Sequence, residues 1–334
     1  MSSLAFVVAV IALAWTYDFF NGMNDAANAI ATSVSTRALT PRQAILLART
    51  LNVLGAFFTT EVAKTIGKGI VVADAVTQPV VLAALIGASS WAGVCTRLGI
   101  PISITHSLVA GMMGAGLAAG GLAVLNWPSL TKIGYAMVFS PVGGFIGGFA
   151  LMLLTYWAFR RFLPAVVTRV FRHGQVVSAA FMAFAHGAND TQNAMGAITA
   201  ALLAGGFLSE FKVPVWVIAG SAFFMGLGTS VGGWRVIKTM GMRMVKLQPP
   251  QGFAAEVSSA SVILLATVLG LPISTTHVIS TAIMGVGATR RLSAVRWGIA
   301  GHIAAAWVFT FPGAALIGAG SFYLVTALVR AFGV

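Results

Sequence analysis

The sequence predicts an all-α, polytopic membrane protein built from two inverted-topology repeats, with broken helices and re-entrant hairpins. Three features predict it: an apolar composition, ten hydrophobic stretches split five and five by a basic linker, and polar motifs that recur in one order in both halves. Of the 334 residues, 58% are hydrophobic and 8% charged, and the mean hydropathy is +0.93. A soluble domain carries about 25% charged residues, so a chain this apolar and this long is solvated mainly by lipid. The 38 glycines fit helices that pack closely or break inside a membrane. The single cysteine, Cys95, has no partner for an internal disulfide. The first twenty residues carry no Lys or Arg, so they lack the basic start of a signal peptide and read as mature protein.

The hydrophobic stretches lie at 4–34, 43–63, 80–97, 101–119, 131–159, 176–204, 214–233, 253–270, 272–288 and 297–329. Most approach the roughly 20 residues a helix needs to cross the apolar layer. Pro141 and Pro312 interrupt two long stretches, and polar clusters around Asn24 and Asn189 interrupt two others. These four are expected to be kinked or discontinuous. Gly-Ile-Pro at 99–101 and Gly-Leu-Pro at 270–272 leave no room for an ordinary loop. Each joins two full spans or forms the tip of a re-entrant hairpin. The expected division is a first repeat at 1–160, a cytoplasmic amphipathic linker at 161–175 and a second repeat at 176–334. In the linker, arginines alternate with Phe162, Val166, Val167, Val170 and Phe171, the pattern of a segment lying on the membrane surface.

The net charge of +13 would suggest nucleic acid in a soluble protein, but here it reports topology. Five passes before the linker place the second half opposite to the first. The side reached after the first stretch then collects fifteen Lys and Arg residues, from Arg37 to Arg296. The other side collects five: Lys64, Lys68, Lys132, Lys212 and Arg330. The positive-inside rule makes the first side cytoplasmic and puts both termini outside. No nucleic-acid partner is needed to explain the basicity.

Residues 22–32 read GMNDAANAIAT and residues 187–197 read GANDTQNAMGA, matching at an offset of 165. Residues 99–116 and 270–287 are identical at nine of eighteen positions at an offset of 171, and Pro141 matches Pro312 at the same offset. Between these motifs, Lys64-Thr65-Ile66-Gly67 echoes Lys238-Thr239-Met240-Gly241. Four correspondences in one order, with an odd number of passes per half, read as an inverted duplication, a design typical of secondary transporters.

What the halves share is polar. An ionised Asp in mid-membrane costs roughly 2.5–3.5 kcal/mol on insertion scales, yet Asp25 and Asp190 are two of only seven acidic residues. Asn24 and Asn28 share a helix face with Asp25 beside them, as do Asn189, Asn193 and Asp190. Carboxylate and amide oxygens suit a hard cation such as Na⁺, and an Asp can equally hold a proton. The alternative is a set of packing or capping polar residues.

The Pro-Ile-Ser segments carry the opposite chemistry. Pro101 and Pro272 suit a helix start, which places Ser103, Thr105, Ser274, Thr275 and Thr276 in the first turns. Free N–H groups and hydroxyls there favour an oxyanion. The competing reading is ordinary Ser/Thr capping.

His106 and His277 close these segments and are candidate accessory groups. Glu256, an acid in an apolar stretch matched by Leu85, is another. His186 is matched by Asn21 and is set aside as asymmetric. His173 and His302 read as structural, and Glu61 as solvated. No metal-ligand cluster, Walker loop or nucleophile–His–Asp set is recognisable, so neither enzyme chemistry nor a cofactor is expected.

At these residues the chain resembles the inorganic phosphate transporter (PiT) family. The motifs are FNGMNDAANAIATSVSTRALTPRQA at 20–44, FAHGANDTQNAMGAIT at 184–199, GWRVIKTMG at 233–241, GFAAE at 252–256 and GLPISTTH at 270–277. The resemblance extends over nearly the whole chain and implies a symporter importing inorganic phosphate across the cell (inner) membrane. It implies a cation and substrate centre at Asp25, Asn28, Asp190 and Asn193, with phosphate held by the two Pro-Ile-Ser segments. Many bacterial relatives carry Lys where this chain has Asn193, which points to Na⁺ as coupling ion, with H⁺ the alternative. The large central cytoplasmic domain of some members does not appear between the halves. A sulfate–cation symporter of the same family and a passive anion channel are the rival functions. Phosphate, Na⁺ or H⁺ and lipid are the expected partners, and a homodimer is the assembly considered.

Overall fold

The computed structural model describes residues 3–331. Among them there are thirteen α-helices and no strand, only an isolated bridge between Val71 and Leu125. In the first half these are α1 (Ser3–Ser35), α2 (Pro41–Gly55), α3 (Glu61–Gly69), α4 (Gln78–Leu98), α5 (Ile104–Gly120) and α6 (Trp127–Phe159). Then follow α7 (Pro164–Asp190), α8 (Gln192–Ala204), α9 (Val215–Val231), α10 (Trp234–Lys238), α11 (Pro249–Val268), α12 (Thr275–Ala288) and α13 (Trp297–Ala331).

Six of these are long and apolar enough to cross a membrane: α1, α4, α5 with its 3₁₀ extension, α6, α11 and α13. The bent pair of α9 with the segment 234–243, at 62°, would make a seventh. The ten expected stretches are therefore not ten uniform spans. Stretch 43–63 is two pieces, α2 and α3, separated by a non-helical turn at 56–60. Stretch 176–204 breaks at Thr191 into α7 and α8. At 1.5 Å per residue the 15-residue α2, the 13-residue α8 and the 14-residue α12 span only about 20 Å each.

Two further expectations change. The stretch around Asn24 lies within one unbroken 33-residue helix, and α6 and α13 run through Pro141 and Pro312 without interruption. Residues 164–175 are not a separate segment. They form the first turns of α7, started by Pro164 at N1, and lead directly into the second Asn-Asp motif.

The α4–α5 and α11–α12 hairpins turn at Gly99 (φ 73°) and Gly270 (φ 67°), in the left-handed region that glycine enters cheaply. Both tips are held by the Lys-Thr motifs: Thr239 donates to the Gly99 carbonyl (3.3 Å) and Thr65 to the Gly270 carbonyl (2.7 Å). Pro101 and Pro272 lie before their helices, not in the first turn. Ser103 and Ser274 start the helices instead as N-caps.

Packing between the halves is reciprocal. Helix α5 lies along α13, where a Cβ on Gly114 would strike the Ala315 carbonyl. Helix α12 lies along α6, where a Cβ on Gly285 would strike the Phe145 carbonyl. Small residues permit this approach where lipid supplies no hydrophobic drive between helices. The outer faces of α6 and α13 expose Phe139, Ile146, Trp157, Phe309, Leu316 and Tyr323, a surface suited to lipid.

Candidate functional site

The two Asn-Asp motifs, on α1 and at the α7–α8 break, meet the starts of α5 and α12 in the interior. Asn24, Asp25, Asn28, Asn189, Asp190, Asn193, Ser103, Thr105, Ser274, Thr275 and Thr276 are each at most 1% exposed. Local chemistry positions the helix starts. Ser103 accepts from the His106 N–H and Ser274 from the His277 N–H, both at 3.1 Å. The capping reading of these serines is therefore observed, and each hydroxyl proton remains free to donate to a ligand. Removing the Ser274 cap by Ser274→Ala should cost about 1 kcal/mol, read as a lower unfolding temperature of the purified protein.

The asparagines reach across to threonines in matched pairs. Asn24 donates to Thr96 and Asn189 to Thr267, both at 2.8 Å. Asn193 donates to Thr105 at 2.8 Å, and Asn28 to Thr276 at 3.0 Å. Thr96 matches Thr267, and Thr105 matches Thr276, at the offset of 171. The first pair of contacts stays within each half; the second exchanges between halves.

One helix start holds both carboxylates. Thr276 donates to Asp25 Oδ1 at 3.2 Å and Thr275 to Asp190 Oδ2 at 2.9 Å, while Asn28 also donates to Thr275 at 3.1 Å. The residue matching Thr275 in the first half is Ile104, which has no hydroxyl. Only the α12 start can therefore bridge the two acids.

With every amide nitrogen committed, the oxygens are left over. The Oδ1 atoms of Asn24, Asn28, Asn189 and Asn193, and Oδ1 of Asp190, are buried without a donor. Each such orphan costs about 1–3 kcal/mol in a protein interior. A cluster of hard oxygen acceptors is suited to a hard cation, and Asp190 Oδ1 can also accept a proton-bearing ligand.

A model of the phosphate transporter family matches residues 21–318. The chain belongs to the phosphate transporter family. A relative from Rhizobium meliloti (strain 1021), named "Probable low-affinity inorganic phosphate transporter", is 48% identical over 95% of this chain and 96% of its own. One of the same name from Bacillus subtilis (strain 168) is 42% identical over 97% and 98%. A solved structure described as "The sodium-dependent phosphate transporter" superposes with a TM-score of 0.90 at 29% identity, covering 97% of this chain and 99% of that one. The chain is thus a multi-pass membrane protein of a transport family, as its sequence led one to expect.

The accessory candidates of this phosphate transporter family member divide. The His106 and His277 rings meet each other at 4.8 Å, edge to face, and His277 stacks on Trp307 at 3.8 Å. They sit just inside the two helix starts. Glu256 lies in a separate buried cluster joining α1, α7 and α11. It accepts from Thr32 and Ser178, both at 2.5 Å, and from Gln175 at 3.1 Å, so it is fully served by donors. Glu61 is half-exposed and paired with Lys64 at 2.6 Å. His173 and His302 are exposed.

One residue set aside from sequence belongs to the centre. His186 Nε2 lies 3.3 Å from Asp190 Oδ2 and 3.9 Å from Asp25 Oδ2, and its Nδ1 lies 3.1 Å from Asn52 Oδ1. Ligand atoms of Asp25, His186 and Asp190 all fall within 4.8 Å of one another, a buried group that could hold a metal ion, contrary to the expectation of no metal-ligand cluster. His186 and Asp190 are four residues apart on α7, one helical turn, whereas Asp25 comes from α1 in the other half. Thr96 and Thr267 were also missed, although they match each other three residues before the aligned segment. Tyr17, which donates to the Ile104 carbonyl at 3.0 Å, gave no signal.

Proposed function

We propose that this protein imports inorganic phosphate coupled to Na⁺, by alternating access of two inverted halves around the centre just described. The observation that carries the reading is the meeting of two capped helix starts with two Asn-Asp motifs whose asparagine Oδ1 atoms are all buried without donors. The cation ligands are Asn24, Asp25, Asn28, Asn189, Asp190 and Asn193, with Na⁺ as the coupling ion. Phosphate is bound by Ser103, Thr105, Ser274, Thr275 and Thr276, with Asp25 and Asp190 accepting its proton. The naming of the similar solved structure as sodium-dependent supports Na⁺ over H⁺.

Charge explains why one site needs both ligands. An inside-negative potential opposes entry of a divalent anion by about 4.6 kcal/mol per 100 mV. Two or more cations bound with it remove that cost and link uptake to their gradient. Cations binding first would also satisfy the orphan oxygens and neutralise the carboxylates that otherwise repel phosphate. Protonated phosphate can donate to Asp190 Oδ1, which sulfate cannot; this favours phosphate between the two anions. Because the site residues are buried, passage requires the halves to open on one side and then the other. The charge distribution orients the protein in the cell membrane with both termini outside.

The test is labelled phosphate uptake into proteoliposomes, with Na⁺, pH and sulfate varied in turn. Uptake should follow an inward Na⁺ gradient, accumulate phosphate and resist sulfate. Flux that ignores both cation gradients, or never accumulates substrate, would reject the coupling and favour a channel. Thr276→Val removes the hydroxyl that serves Asn28 and Asp25 together. It should lower the initial rate by about tenfold, the equivalent of roughly 1.4 kcal/mol.

A further inference from the structure

Asp18 sits two turns before the first Asn-Asp motif on α1 and is fully buried. Neither of its carboxylate oxygens has a hydrogen-bond partner. No Lys, Arg or His among the described residues lies within ion-pairing distance of it. On the facing helix α9, Ser221 is opposite it and likewise fully buried with an unserved hydroxyl oxygen. One turn along α1, Asn21 spends its amide N–H on the Asp190 carbonyl at 3.4 Å and leaves Oδ1 without a donor. Helices α1 and α9 are held tightly here, since Gly22 lies against the Met225 carbonyl and Gly228 against the Phe19 carbonyl.

An uncompensated carboxylate in such a place is untenable, so a cation must accompany it. A proton would serve one oxygen. Along this stretch of the seam four buried acceptor oxygens go unserved, Oδ1 and Oδ2 of Asp18, Oγ of the neighbouring Ser221 and, one turn on, Oδ1 of Asn21, with only the serine's own proton to share. An all-oxygen surplus of that kind matches a desolvated hard cation.

We propose that Asp18, Asn21 and Ser221 form a second Na⁺ site at the α1–α9 seam, separate from the Asn-Asp centre. It extends the coupling reading above and rests on it. The residue matching Asp18 in the second half is Ala183, so the fold builds the site once. Asn21 links it to the centre through the Asp190 backbone, so filling the seam fixes the end of α7 where the second motif lies. The site adds one positive charge to the load that accompanies each phosphate.

The experiment measures ²²Na⁺ and ³²P-phosphate uptake together in proteoliposomes for wild type, Asp18→Asn, Asp18→Glu and Ser221→Ala. Wild type is read first: if its phosphate uptake needs no Na⁺, the coupling reading fails, and this site with it. If wild type is Na⁺-coupled, Asp18→Asn should carry one Na⁺ fewer per phosphate, and Asp18→Glu should keep the wild-type ratio. Ser221→Ala, which keeps the carboxylate and is the milder change, should raise the half-saturating Na⁺ by about tenfold. That shift keeps the proposal testable even if Asp18→Asn is poorly made. An unchanged ratio in an active Asp18→Asn, or an unchanged Na⁺ dependence in Ser221→Ala, overturns the site. So does an Asp18→Asn protein that loses only its response to a pH gradient, since Asp18 would then hold a proton.

Discussion

Asp190→Asn should produce a protein that inserts and folds but transports phosphate at least about 100-fold more slowly under a Na⁺ gradient. Three contacts depend on its charge: the Thr275 hydroxyl at 2.9 Å, the His186 imidazole at 3.3 Å and the proposed cation. A hydrogen bond to a charged group contributes about 1.5–3 kcal/mol and about 1.4 kcal/mol is tenfold, so weakening the Thr275 bond and removing the charge that faces His186 and the proposed cation together reach that magnitude. The volume change is negligible, so the fold should survive. Asp25→Asn should slow uptake too, by less, because its contacts are longer: 3.2 Å to the Thr276 hydroxyl and 3.9 Å to His186. The measurements are initial ³²P uptake per folded protein and the Na⁺ dependence of what remains. Glu61→Gln is the comparison: its carboxylate is half-exposed and pairs only with Lys64 on the surface, so uptake should match wild type. A fully active Asp190→Asn would remove the central carboxylates from the mechanism and reopen the channel reading, in which such a change is mild.

Much of this candidate site was legible because its motifs occur twice in the sequence. Asn24 with Asn189, Asn28 with Asn193, and Thr105 with Thr276 stand at matching positions, and the structure joins them in matching contacts. Composition and periodicity sufficed for helices in a membrane. What escaped falls into two kinds. The breaks escaped because hydrophobicity sets where a helix is soluble in lipid, whereas local polar groups and caps set where it stops. Thr191 ends α7 next to the second motif, while α1 carries the first motif without interruption. The asymmetric residues escaped because the matching between halves became the criterion for function. His186 faces Asn21 in that comparison and was set aside, and Asp18 faces Ala183 and drew no notice. An acid or imidazole inside an apolar stretch is costly whether or not it has a twin, and that rule alone would have found both.

The same pairing predicts the largest structural effect. Gly22 and Gly187 open the two Asn-Asp motifs, and each lies against a backbone carbonyl of a crossing helix: Met225 on α9 and Asn52 on α2, respectively. A side chain there has no room, because its neighbour is main chain and cannot rotate away. Gly187→Val should therefore push α7 off α2, at a cost of about 3 kcal/mol or more. It would also carry Asn189 and Asp190 away from Thr267 and Thr275. Gly22→Val should do the same at α1 and α9. Both proteins are expected to give little monodisperse material in detergent, with a lowered unfolding temperature in what is recovered. Gly320→Val on α13 is the control, since nothing lies within 4 Å of a Cβ built there; it should be close to neutral. If Gly187→Val were as stable as Gly320→Val, α7 could not be packed on α2 at this distance. The close approach that lets two short polar motifs meet inside a membrane would then need another origin than the absence of a side chain.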